Sequence, residues 1–297
     1  MTFRDTAAAN GAATVGAVVR GATERLRAGG IEDAARDARR LVALAAGLAP
    51  IDVITAAGRE LTKEQLGTLD DMLLRRIDRR MPVSRIEGVR EFYGRPFQLN
   101  AGTLDPRSDT ETVVMLALDV VRQTAGERPL RILDAGVGSG AILLTLLAEL
   151  PNASGIGIDT NEDALRAAGA NAQALGVARR AGFIQADMAA FSAPPFDLVV
   201  SNPPYIPSGD IARLEPEVRE HDPRGALDGG RDGLDFYWAL AGRRDLLVHG
   251  GWMVLEVGAG QADAVADMLA SALSASELRK ATDLGGHTRA VAVRTHL

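Results

Sequence analysis

The residues of this chain whose types and spacing best suit chemistry lie in Asp197-Leu-Val-Val-Ser-Asn-Pro-Pro-Tyr-Ile206. Asn202 carries a planar carboxamide, Pro203 and Pro204 add rigid carbonyls, and Tyr205 adds an aromatic ring. A planar NH2 group, whether a side-chain amide or an exocyclic base amine, is a weak nucleophile because its lone pair is delocalised. The Asn202 side-chain oxygen and a backbone carbonyl such as that of Pro203 suit its two hydrogens, and Tyr205 suits its face. These residues need a strand to hold them, and the apolar run from Phe196 reads as one, buried on both faces. Asn202-Pro203 ends it at once, because proline cannot continue a ladder and restrains the residue before it. The group therefore falls at a strand's C-terminal edge, where open α/β sheets bind ligands. A bare Asn-Pro pair is commonly only a turn, but the longer run is far more specific.

A second constellation lies upstream. Leu130 to Asp134 reads as a strand, Ala135-Gly136-Val137-Gly138-Ser139-Gly140 as a tight turn, and Ala141 to Leu150 as a helix. Glycines there let the backbone approach a ligand closely, and the helix offers free N–H groups. Asp159 ends a second strand, Gly155 to Asp159, and is suited to accept from two ribose hydroxyls. Asp187 follows a third strand near Phe183 to Gln185 and is suited to an adenine amine. Taken alone, Gly136-x-Gly138-x-x-Ala141 fits nicotinamide dinucleotides as well as S-adenosylmethionine. The amine clamp decides between them: hydride transfer has no use for it, whereas transfer from a methylsulfonium needs an aligned amine.

The elements around these sites alternate. After Phe196 to Ser201 comes a fifth strand, Gly251 to Glu256, and a final antiparallel pair, Leu278 to Leu284 and Arg289 to Arg294, across Gly285-Gly286. Such repetition predicts a largely parallel, doubly wound sheet. Residues from about Ala13 to Arg80 read instead as helices: Ile31 to Leu48 stops at Ala49-Pro50, and Thr62 with Gln65 opens another run as a capping box. Glu91 to Leu99 suggests a hairpin. Leu104 to Glu111 is polar and either caps the helix Thr112 to Val121 or lines a site.

Composition narrows the class. The chain has 297 residues, 46% hydrophobic and 24% charged, which is ordinary for a globular protein. No apolar run reaches the roughly 20 residues a membrane helix needs, and the start, Met1-Thr-Phe-Arg-Asp5, lacks the apolar core of a signal peptide. The sequence contains no cysteine, which excludes disulfides, thiolate nucleophiles and cysteine-bound metal. The net charge of −6 argues against life on a nucleic-acid backbone. His221, His249, His287 and His296 are scattered, with no metal-site spacing. A cytoplasmic enzyme without a metal is expected.

Asp134-Ala-Gly-Val-Gly-Ser-Gly-Ala141, Asp159, Asp187 and Ser201-Asn-Pro-Pro-Tyr-Ile206 resemble the seven-strand S-adenosylmethionine-dependent methyltransferases that act on planar amino groups. More narrowly, Glu91-Phe-Tyr-Gly94, Pro106-Arg-Ser-Asp-Thr-Glu111, Ala226-Leu-Asp-Gly-Gly-Arg-Asp-Gly-Leu234 and Leu255-Glu-Val-Gly258 with Gln261 resemble the HemK/PrmC family. The resemblance runs from about Pro82 to Arg294, and the N-terminal helices fit the family's small helical domain by position and length.

It implies an α/β fold: a Rossmann-like, seven-strand methyltransferase domain (108–297), preceded by an all-α substrate-recognition bundle (1–80) and a β-hairpin linker (81–107). It implies methylation of the side-chain amide of the glutamine in the Gly-Gly-Gln loop of peptide chain release factors, with S-adenosyl-L-methionine as donor and no stable nucleic acid, membrane or metal. Gly136, Val137, Gly138, Ser139 and Gly140 would hold the methionine part, Asp159 the ribose, and Asp187 with Met188 the adenine side. Asn202, Pro203, Pro204 and Tyr205 would hold the glutamine amide, with Asn202, Pro203 and Tyr205 catalytic and Asn202 also beside the cofactor. Departures are mild: Ser108 stands where the family often has Pro, Asp109 where it has Glu, Met188 where it has an aromatic, and His221-Asp222-Pro223 where it has Tyr-Glu-Pro. Rival readings are a glutamine methyltransferase of a ribosomal protein, an adenine-N6 nucleic-acid methyltransferase, and a non-catalytic adaptor that binds release factor.

Overall fold

The computed structural model describes Phe3, residues 13–124 and residues 128–296; the rest of the start Met1 to Asp5 lies outside the described residues. The contacts divide the chain into two compact units, Met1–Gly88 and Val89–Leu297.

In the first unit the described helices are α1 (Val15–Ala28), α2 (Ala34–Ala46), the short α3 (Asp52–Thr55), α4 (Lys63–Asp78) and α5 (Val83–Glu87). Leu66, Leu69 and Leu73 recur at helical spacing on α4 and meet Leu26 of α1 and Leu41 of α2 in a closed apolar core. The capping box at Thr62 is complete: Thr62 Oγ1 accepts from the Gln65 amide at 3.2 Å and Gln65 Oε1 from the Thr62 amide at 3.0 Å. α2 ends before the expected Ala49-Pro50 stop. Gly47 adopts φ 65°, and this left-handed cap closes the helix first.

The second unit opens with the hairpin β1 (Val89–Phe92) and β2 (Arg95–Gln98). Tyr93 and Gly94 at its tip both have positive φ, the twist that two-residue hairpin loops favour. Phe92 and Phe97 meet edge to face at 6.0 Å in the core of this unit. Then follow α6 (Glu111–Thr124), β3 (Leu130–Ala135), α7 (Ala141–Glu149), β4 (Ala153–Asp159), α8 (Glu162–Ala174), β5 (Ala181–Gln185) and β6 (Phe196–Ser201). The chain continues through α9 (Pro216–Arg219), α10 (Asp235–Ala241), β7 (Leu247–Glu256), α11 (Ala262–Ala272), β8 (Ala275–Thr282) and β9 (Thr288–Thr295). The seven-stranded sheet has the order β5-β4-β3-β6-β7-β9-β8, with β9 antiparallel to both neighbours.

Alternation sorts the sheet's side chains into two layers. Ile132, Leu198, Val200 and Val254 pack on one face with α6 and α7 residues. Leu133, Val199, Met253 and Leu255 pack on the other with Tyr237 and Leu240 of α10 and Val265 and Leu269 of α11. Two strands differ from the sequence expectation. β7 begins at Leu247 rather than Gly251, because Phe196 pairs with Leu247 while Leu198 pairs with Trp252, and the irregularity absorbs Gly250 at φ 72°. β8 ends at Thr282, and Leu284 stands fully exposed: the Asp283 carboxylate accepts from the His287 amide at 2.9 Å, closing a turn where a strand was expected.

Candidate active site

After β3 the chain steps outward to β4 and β5, and then crosses to the other side of β3 to lay down β6. That reversal opens a crevice at the C-terminal ends of β3, β4 and β6, where open α/β sheets bind ligands. A cavity of about 550 Å³ lies there; its walls include Gly136, Val137, Gly138, Ser139, Asp159, Asp187, Met188, Asn202 and Pro204.

One half is built from backbone. Gly138 has φ 53°, and a Cβ added there would meet nothing within 4 Å, so its bare backbone faces open space. Its amide donates to Asp159 Oδ2 at 3.0 Å, while Asp159 Oδ1 accepts from the Asn161 amide at 2.9 Å. Each Asp159 oxygen thus spends one lone pair locally and keeps acceptor capacity toward the cavity. Asp187 is exposed at the rim, with Oδ1 accepting from the Ala189 amide at 2.8 Å. Ile158, Ile142, Leu104 and Met188 supply apolar wall for a planar ring. A cradle of glycine backbone, a carboxylate at a strand end and apolar sides fit an adenosyl sulfonium group.

Gly140 of the turn and Asp134 of β3 serve the fold rather than the wall. Gly140 caps α7 in the left-handed region, and a Cβ there would stand 2.8 Å from Leu144 Cδ1. Asp134 is buried and its Oδ2 accepts from the Leu143 amide at 3.1 Å, holding a first-turn donor of α7. Burial pushes its carboxyl up to about 7; the Leu143 bond opposes this and the nearby Asp159 charge adds to it.

The other half is built from side chains. Asn202 is half-buried, and its Nδ2 donates to Thr110 Oγ1 at 3.1 Å. Thr110 closes a 3-10 turn, Ser108–Thr110, that runs directly into α6. Of the two roles its sequence allowed, the polar segment before α6 lines a site, since Leu104, Pro106 and Thr110 stand in the cavity wall, and the 3-10 turn has no side-chain cap bond. Tyr205 turns its hydroxyl inward to Glu256 Oε1 at 3.3 Å, and burial together with that carboxylate pushes its phenol well above the usual range. Pro203 is buried and, like Tyr205 and Gly140, is not part of the cavity wall.

Gln261 fastens this half. Its Nε2 donates to the Tyr205 carbonyl at 3.0 Å and its Oε1 accepts from the Gly258 amide at 3.0 Å. Gly233 passes so close that a Cβ would stand 2.3 Å from the Tyr205 carbonyl oxygen, which is why Ala226 to Leu234 needs glycine there. Behind the cavity, Asp222 is buried and accepts from Arg107 Nη2 at 2.6 Å, so the His221-Asp222-Pro223 departure keeps an acid that ties the two wall segments together. Thr110, Glu256 and Gln261 all fall in motifs visible in the sequence, but only their neighbours in space give them work. Among the described residues, no helix is long and apolar enough to cross a membrane and no group of three acids or histidines could hold a metal ion.

Residues 17–88 match the PrmC N-terminal domain and residues 132–221 a methyltransferase domain. A release factor glutamine methyltransferase of Rhodospirillum rubrum is 49% identical over 272 residues, 91% of this chain and 82% of that protein. One from Bradyrhizobium diazoefficiens is 46% identical over 271 residues, 91% of each. The catalytic domain of hMettl16 shares the fold, with a TM-score of 0.52 at 14% identity over 80% of this chain and 84% of that one. With near-complete coverage at such identity, this chain belongs to the release factor glutamine methyltransferase family.

Proposed function

We propose that the protein transfers the methyl group of S-adenosyl-L-methionine to the side-chain amide nitrogen of the glutamine in the Gly-Gly-Gln loop of peptide chain release factors, in the cytoplasm. The observation that carries this reading is the Asn202 carboxamide at the cavity wall with its nitrogen engaged by Thr110. With that end occupied, the carboxamide offers its oxygen, an acceptor, to an incoming NH2 group.

The bound cofactor supplies an electrophilic methyl on a positive sulfur. The chain's residues bind, orient and exclude water. The Gly136 to Gly140 turn and Asp159 hold the cofactor, with Asp187 and Met188 beside its ring. Asn202 and the Pro203 carbonyl accept the two amide hydrogens, fixing the nitrogen so that its electron density meets the methyl carbon. No covalent enzyme intermediate is required, and no base need act first, because the nitrogen's proton becomes acidic only as the methyl bond forms. Tyr205 anchors the loop through Glu256 and Gln261. The helices of residues 1–80 serve substrate recognition, 81–107 join them to the catalytic part, and 108–297 carry the chemistry.

The test is methyl transfer from labelled S-adenosylmethionine to purified release factor, with the loop glutamine changed to alanine as control. Incorporation that disappears in the control is expected. Incorporation that persists in the control, or none at all while the cofactor still binds, would move the substrate elsewhere.

A further inference from the structure

We propose that Gln261 is a positioning residue for methyl transfer: its carboxamide locks the Tyr205 peptide, and with it the stance of the Asn202-Pro203-Pro204 turn at the cavity wall. The inference rests on the reading of Asn202 and Pro203 given above.

Gln261 stands at the N-cap of α11, and its side chain makes no cap bond to that helix. It reaches instead to the backbone of neighbouring loops. Nε2 donates to the Tyr205 carbonyl at 3.0 Å and to the Gly233 carbonyl at 3.4 Å, and Oε1 accepts from the Gly258 amide at 3.0 Å. Every partner is a backbone group of fixed polarity, so the two ends of the carboxamide cannot exchange. Glycine makes the room. A Cβ at Gly258 would stand 2.6 Å from Gln261 Oε1 and 3.0 Å from Tyr205 Cδ2, and one at Gly233 would stand 2.8 Å from Gln261 Nε2.

The two prolines show why this grip reaches the chemistry. Proline fixes φ at 203 and 204 and restrains ψ at 202 and 203. Upstream the turn is tied to the sheet: Ser201 pairs with Leu255 of β7, its Oγ donates to the Ala135 carbonyl at 2.5 Å, and Asn202 holds Thr110. The soft torsions that remain downstream are ψ at Pro204 and the pair at Tyr205. There the peptide between Tyr205 and Ile206 is gripped on both sides, its carbonyl by Gln261 and its amide by the Leu227 carbonyl at 3.0 Å. The Ile206 carbonyl accepts from the Gly229 amide at 2.9 Å. Leu227 and Gly229 join the turn only to another loop. Gln261 holds Tyr205 and Gly233 at once from the start of α11, which ties both loops to the helix packed on the sheet. The Tyr205 hydroxyl also reaches Glu256 at 3.3 Å, but a bond at the tip of a side chain leaves the backbone torsions free.

Without Gln261 the Tyr205 carbonyl loses its donor, its peptide can rotate, and the prolines pass that rotation to Asn202 and the Pro203 carbonyl. A shift of about 1 Å in an aligned nucleophile slows a reaction about 100-fold. Among the described residues the cofactor cradle at Gly138 and Asp159 is bonded to its own turn and to Asn161, not to Gln261. Turnover should therefore suffer before binding does.

The experiment uses the full chain, with release factor as substrate, and compares Gln261→Glu, Gln261→Met, Asn202→Ala and the Asn202→Ala/Gln261→Met double variant. Gln261→Glu keeps the shape and the acceptor for Gly258 and loses only the donor; Gln261→Met keeps the length and loses both. Expected is a kcat lowered about 10- to 100-fold in both single variants, with cofactor binding by calorimetry and KM for release factor little changed. The double variant loses no more than Asn202→Ala alone, because both act through one turn. Wild-type kcat in Gln261→Glu alongside an inactive Asn202→Ala would overturn the proposal and spare the reading beneath it. Additive losses, or a kcat loss matched by lower melting and weaker cofactor binding, would make Gln261 structural and overturn it too. An active Asn202→Ala would remove both.

Discussion

The two halves of the crevice are made differently. Around Gly136 to Ser139 the wall is largely backbone: positive φ at Gly136 and Gly138, open space where their side chains would stand, and one carboxylate, Asp159, anchored by neighbouring amides. Around Asn202 the wall is a side chain held by Thr110, 92 residues away, on a loop that Glu256 and Gln261 fasten through Tyr205. A backbone cradle tolerates change in its surroundings and binds a constant cofactor. A side-chain clamp is specific and needs buried support. Binding and turnover should therefore fail separately.

The largest effect is expected at Asn202. Asn202→Ala removes the acceptor for the amide hydrogen, and turnover falls about 100- to 1,000-fold, the size seen when one preorganised hydrogen bond to a reacting group is lost. Steady-state kinetics at saturating cofactor would read it.

Asp134 comes next and concerns stability. Its carboxyl is raised from 3.8 to about 7, so the fold is favoured below 3.8 and loses that contribution as pH rises toward 7. Wild type should lose about 2 kcal/mol between pH 5 and pH 8 that Asp134→Asn does not lose. Parallel urea-melt curves for the two proteins would show instead that Asp134 pays no burial penalty. A smaller change is expected at Gly138. Alanine at φ 53° costs about 1–2 kcal/mol, which should appear as roughly tenfold weaker cofactor binding with kcat at saturation nearly kept. A kcat loss as large as its binding loss would blur the contrast between the halves. Smallest, Thr62→Ala should lower the stability of the helical unit by about 1 kcal/mol through its capping box, with transfer at saturating substrate unchanged.

How much of this was legible in the sequence follows from locality. The sheet pattern, the capping box at Thr62 and the glycine turn are written in runs of adjacent residues, and the structure has them. So is the position of Asn202 at a strand end. The orientation of Tyr205 was not legible, since a phenol after Asn-Pro-Pro has no local reason to turn inward; Glu256, 51 residues away, supplies it. Thr110 stood in a polar segment that could cap a helix or line a site, and the partner that decides lies 92 residues on. Nothing local to Asp134 at its strand end shows its role, since its bond goes to the helix nine residues later. β7 and β8 shifted where a bulge and an aspartate-closed turn overrode the apolar pattern. The substrate's identity came from resemblance and rests on relatives, as no pairing of residues in one chain names a partner.

The most direct test of the division between the halves is a paired measurement on one preparation of Asn202→Ala: cofactor binding by calorimetry, then single-turnover methyl transfer to release factor from the preformed complex. Near wild-type binding with transfer almost lost is the result expected if the backbone cradle holds the cofactor and the Asn202 carboxamide orients the amide. Binding and transfer lost together would contradict it, because Asn202 would then belong to the cradle.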